Sequence, residues 1–134
     1  MTDTEFYEGF AVYETDHKPQ QIIFRDDLDY LRKFIHCDTL DMPTRFIEGR
    51  PFVFIVDDCG LINGRFPTAF GTSQSGRVYA PMLFGTFIVT KVNSSKEKFV
   101  DLNKTDLEVL KRNIWKTEES EHYMLMHLTY RRKQ

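Results

Sequence analysis

Net charge is almost missing from this chain: 18 basic residues against 20 acidic ones leave a formal −2. No stripe for a polyanion is expected, and the one dense basic cluster, Arg131-Arg132-Lys133, reads as a solvated tail. Long hydrophobic runs are missing too. The longest uncharged stretch, Val78 to Thr90, is 13 residues and contains Pro81 and Gly85. A helix that crosses a bilayer needs roughly 20 apolar residues. The opening MTDTEFYEGF has neither a basic nor an apolar region and does not read as a signal peptide. Cysteine is scarce, with Cys37 and Cys59 standing 22 positions apart and no CxxC pair. A domain of this size needs no disulfide. These absences lead to an expected cytoplasmic protein with reduced thiols, no membrane contact and no nucleic-acid partner.

What the chain does have is aromatic bulk, with 12 Phe and 6 Tyr among 134 residues, enough to build one core from few positions. No repeat or low-complexity tract divides it, so a single domain is expected. GFAVYET (9–15) alternates as a strand does, and QIIF (21–24) is a second short strand. The period then changes. Leu28, Leu31, Phe34 and Ile35 share one helical face, with Asp26 and Asp27 at its start and Arg32 and Lys33 near its end, so a helix is expected over about 26–36. TLDM (39–42) and RPFVFIVDD (50–58) follow as strands. Phe52 to Val56 is continuously apolar, as a strand covered on both faces would be.

GTSQSG (71–76) reads as a loop, GRVYA (76–80) and GTFIVTKV (85–92) as strands, and KFVDL (98–102) as a further one. Thr105-Asp106-Leu107-Glu108 has the spacing of a capping box and predicts a second helix over about 105–116, with Leu107, Leu110 and Ile114 on one face. In the closing SEHYMLMHLTYRR, Tyr123, Met126 and Tyr130 align on a helix. A strand is the alternative. The clustering of strands predicts an α+β fold with a mostly antiparallel sheet and two main helices.

No catalytic constellation assembles from these residues. Asp57 and Asp58 are adjacent, and successive strand side chains point to opposite faces, so the pair reads as a turn and not as a metal site. The spacing also fails a calcium loop. Cys59 has no histidine within twenty residues, and His36 next to Cys37 reads as a favourable cation at a helix end. His122 and His127 miss the i, i+4 spacing of a helical zinc pair. The glycines fit no phosphate-binding pattern. No catalytic residue, cofactor or metal is therefore expected. Phe66, Phe70, Tyr79 and Phe84 flank a polar loop and are candidates to line a groove. Tyr123, Met126 and Tyr130 are candidates for an adaptable surface that covers the domain or pairs with a second copy.

Val56-Asp57-Asp58-Cys59-Gly60-Leu61, then Gly64, Pro67 and Ala69, then Phe84-Gly85-Thr86-Phe87-Ile88-Val89, resemble a family of small uncharacterised proteins. It is a domain-of-unknown-function family carried by bacterial phages, plasmids and conjugative elements. Its members share the core V-x-x-(D/E)-x-G-L-x-x-G-x-x-P, and a later G-T-(F/V)-(I/V)-(I/V) strand before a closing helix. The resemblance covers about residues 8 to 116. Thr68 and Phe70 depart from it, and the tail beyond Lys116 has no counterpart in it. It implies a non-enzymatic accessory protein of a mobile element, and it supplies no catalytic residues to carry over. The function expected is binding of a protein partner, with a small-molecule or nucleotide binder as the alternative.

Overall fold

The computed structural model describes residues 6–13, 19–59, 67–72, 78–93, 95 and 98–115 and 124–127; along 67–72, 78–84, 115 and 124–127 it is the backbone that is described. In chain order the elements are β1 (Phe6–Val12), β2 (Pro19–Arg25), α1 (Leu28–Ile35), β3 (Leu40–Asp41), β4 (Thr44–Ile47), β5 (Arg50–Asp57), β6 (Pro67–Thr72), β7 (Val78–Phe84), β8 (Phe87–Val92), β9 (Phe99–Val100), α2 (Lys104–Asn113), β10 (Ile114–Trp115) and β11 (Met124–His127). The expected α+β class with an antiparallel sheet and two helices is the fold observed.

Seven strands form the main sheet, in the order β2-β1-β8-β5-β3, with β4 also paired to β5 and β9 to β8. Every pairing in this sheet is antiparallel. β9 lies beside the start of β1, where the Leu102 N–H donates to the Glu8 carbonyl and the Glu8 N–H to Asp101 Oδ1 at 2.9 Å. β3 and β4 line the same strand in succession, because Pro43 has no N–H with which to continue one ladder. Its carbonyl still accepts from Phe54 N–H.

Both faces of this sheet are buried, and the strand period of two sorts the side chains between them. Phe10, Val12, Phe52, Phe54, Phe87 and Val89 point to one face and pack against Val109, Leu110 and Ile114 of the α2 segment. Ala11, Ile55 and Ile88 point to the other, where Phe24 joins Leu31 and Ile35 of α1. The unbroken apolar run from Phe52 to Ile55 has this two-sided cover as its cause. Each fully buried phenylalanine contributes about 1.5–3 kcal/mol of transfer free energy.

The helices follow their caps. Asp27 accepts from the N–H groups of Asp29 and Tyr30 at the start of α1. His36 closes it in the left-handed conformation, at φ 63, and this cap shortens the helix from the expected 26–36. Leu28 is 55% exposed and lies off the core face. It is the first residue of α1, one turn before the buried Leu31. The capping box of α2 is shifted two residues from the expected one. Asn103 accepts from Asp106 N–H at 2.8 Å and Asp106 Oδ2 accepts from Asn103 N–H at 3.0 Å. Asn103 is the better N-cap, and the two overlapping boxes compete for one helix start. At the other end Ile114 leaves the helix for β10, so the expected extension to residue 116 is cut short.

A second, four-stranded sheet runs β10-β11-β6-β7. Gly85, at φ 81, turns the chain from β7 back into β8 of the main sheet. Thr72, expected in a loop, ends β6 and pairs with Val78. The closing segment takes the strand alternative: β11 pairs antiparallel with β10 and parallel with β6, so it is internal to its sheet. A segment hydrogen-bonded on both sides has its backbone partners supplied by neighbours, and the helical spacing of its side chains is overridden.

Candidate functional site

The paired carboxylates come first. Asp57 ends β5 and is buried, and its Oδ1 accepts from the Cys59 N–H at 2.9 Å. This is the side-chain-to-backbone bond of an Asx turn. Asp58 is exposed, and its N–H donates to the Thr39 carbonyl at 3.0 Å, extending the β3–β5 ladder by one step. The expected turn is thus observed at Asp57–Cys59. Asn63-Gly64 lies outside the described residues, as does His122. Among the described residues no three His, Cys, Asp or Glu side chains converge in a way that could hold a metal ion.

The aromatic candidates belong to the second sheet. Phe70 lies in β6 opposite Pro81, Phe84 ends β7 opposite Pro67, and Tyr79 lies in β7. Met126 lies in β11, between Ile114 and Gly71. The two groups of candidates, far apart in sequence, are therefore brought into one sheet. Phe66, Tyr123 and Tyr130 lie outside the described residues.

A polar cluster that sequence reading missed sits where α2 meets the main sheet. Arg50 and Lys91 continue the alternation of Phe52-Phe54 and Phe87-Val89, which delivers both cations to the α2 face. There they meet Asp106, whose side chain is 1% exposed. Lys91 Nζ donates to Oδ2 at 2.9 Å and Arg50 to Oδ1 at 3.4 Å, alongside the Asn103 N–H on Oδ2. Both carboxylate oxygens are engaged, so Asp106 fastens the start of α2 to β5 and β8. A buried carboxylate is tolerated here because two cations and a backbone donor replace its water.

The other end of α2 is fastened separately. Arg112 grips Glu48 through two bonds, at 2.5 and 2.7 Å, and Asn113 Nδ2 donates to the same carboxylate at 2.5 Å and to the Val109 carbonyl at 2.8 Å. The Arg112 hydrogen bond, with help from Asn113, holds the Glu48 carboxyl down at about 2. The sequence signal was present in the alternation that carries Arg50 and Lys91. It became readable only once α2 was known to cover that face.

At the edge of the main sheet, β2 pairs with β1 and, among the described residues, with nothing on its outer side. Ile23 on this strand is 63% exposed and Phe6, on β1, is 59% exposed. They lie on one face, since Phe6 pairs with Arg25, two residues from Ile23. The Arg25 guanidinium stands 6.0 Å from the Phe6 ring centroid.

One family model, described as "Domain of unknown function (DUF3846)", matches residues 9–114. No curated protein and no solved structure matches the chain. Among the described residues no helix is long and apolar enough to cross a membrane.

Proposed function

The chain belongs to this DUF3846 family, and from that premise we propose that it is a non-enzymatic accessory domain of a bacterial mobile element that acts by binding a protein partner. The observation that carries the reading is the edge strand β2, seven residues long, with Ile23 and the neighbouring Phe6 exposed on one face. An open strand edge offers N–H and C=O groups to an incoming strand, and exposed apolar side chains beside it supply contact area. Isolated exposed apolar residues are ordinary on a protein surface, but their place beside an open edge suits recognition by strand addition. The candidates Phe70, Tyr79, Phe84 and Met126 offer the four-stranded sheet as a second contact region of the same reading.

The test is affinity capture from bacterial lysate after nuclease treatment, with the wild-type chain and Ile23→Lys side by side. A stoichiometric protein held by the wild type and lost by the variant is expected, with thermal stability unchanged because position 23 is exposed. If no specific protein is retained from any plausible host, the reading fails.

A further inference from the structure

The outer edge of β2 has a donor and acceptor pattern that β1 fixes. Glu8 on β1 turns both of its backbone groups away from β2. Its N–H donates to Asp101 Oδ1 at 2.9 Å, and its carbonyl accepts from Leu102 N–H at 3.3 Å. Glu8 faces Ile23, so theirs is a non-bonded pair of the ladder, and the N–H and C=O of Ile23 point outward. The register continues without a bulge from Phe6–Arg25 to Val12–Pro19, and its alternation turns the backbone groups of Pro19, Gln21 and Arg25 outward as well. Pro19 has no N–H to offer. The Arg25 carbonyl already accepts from Asp27 N–H at 2.9 Å. Gln21 and Ile23 are therefore the positions at which this edge presents both a donor and an unoccupied acceptor.

We propose that β2 is the interface of a twofold dimer, in which β2 of a second copy of this chain adds antiparallel and continues the main sheet. The inference rests on the strand-addition reading of this edge and names the strand that occupies it. With the twofold axis at Ile22, Gln21 of each copy meets Ile23 of the other, and both pairs exchange N–H and C=O bonds. Pro19 then lies opposite Arg25 of the second copy, so the missing donor faces the carbonyl that is already occupied. A shift of two residues either way loses this match, because Ile23 would meet Pro19 or Gln21 would meet Arg25. Charge agrees with the same pairing. Pro19 to Phe24 holds no charged residue, so no like charges oppose each other across the axis. Arg25 is paired with Asp27 in its own copy. In the sequence Lys18 precedes the strand and Asp26 follows it, so antiparallel addition sets the end that Lys18 precedes beside the end that Asp26 follows. A protein partner that reads this edge competes with the second copy for it.

Sedimentation equilibrium of the full chain over a concentration series, with amide exchange read by NMR, tests the interface. A dimer is expected, with the Gln21 and Ile23 amides protected against exchange. Ile23→Pro removes an outward donor and no bond of the β1–β2 ladder, so it should give a monomer with the circular dichroism of the wild type. A wild type that stays monomeric at every concentration overturns the proposal, and so does a dimer whose Gln21 and Ile23 amides exchange freely. If Ile23→Pro fails to fold, amide exchange in the wild type decides by itself. The lysate capture judges the partner-binding reading separately. A monomer that retains a host protein sinks the dimer and keeps that reading, whereas a β2-paired dimer that retains none keeps the dimer and sinks the reading.

Discussion

Glu48 shows how one side chain holds a backbone conformation it does not favour. It and Gly49 form the two-residue turn between β4 and β5, with φ of 52 and 76 respectively. Positive φ at both positions is the type I′ geometry that matches the twist of a hairpin. Glycine takes it freely and glutamate does not. The Glu48 carboxylate is fixed by Arg112 and Asn113, and the bonds across to α2 offset the local strain. Its folded-state pKa, near 2, lies below the ordinary 4.5. The unfolded chain therefore takes up the proton first as the pH falls. The contribution is complete above about 4.5 and is lost as the pH approaches 2. Arg112 is 57% exposed, so water screens the pair and the effect is modest. Thermal unfolding from pH 7 down to pH 2 should show Glu48→Gln below the wild type at neutral pH, with the gap closing on acidification. A gap that stays constant with pH would remove the assigned role.

At the scale of the element, β1 has no room for a side chain at Gly9. It lies between β2 and β8, and a Cβ added at Gly9 would stand 2.9 Å from the Phe24 ring and 3.2 Å from the Ile88 methyl. Phe24 is fully buried and its ring lies 5.3 Å from that of Phe99, so it has little room to yield. Gly9→Ala should cost about 1–3 kcal/mol in urea unfolding, the range for overpacking a filled core. An unchanged midpoint would show that the ring moves aside. The elements themselves were largely legible. The alternation of GFAVYET, the Leu31–Ile35 face and the apolar run of β5 are local patterns written by their own burial. The strands β4, β6 and β10 were not: four and two residues carry too little periodicity to stand out from turns, and the six of β6 include Pro67 and Gly71. The N-cap of α2 lies two residues before the expected one because Asn103 and Thr105 each satisfy a capping pattern. The burial of Asp106 by Arg50 and Lys91 selects the first.

At the scale of the whole molecule, β11 (Met124–His127) ties the strand that follows α2 to the second sheet. β11 lies between β10 and β6, so without it these two strands have no partner in common. Removing residues 117–134 should lower the melting temperature by at least about 5 °C, as the loss of roughly 1 kcal/mol does in a domain near this size. An unchanged melting temperature would make that sheet dispensable. By itself the sequence determined the α+β class, the two helices, the central strand and the Asp57 turn. Each follows from side-chain period or backbone chemistry within a dozen residues. Only the tertiary structure decided that the closing segment is a strand and that Asp106 is the ion-paired anchor of α2. Those outcomes depend on which distant backbone supplies a hydrogen-bond partner or a counter-charge. No local pattern carries that information.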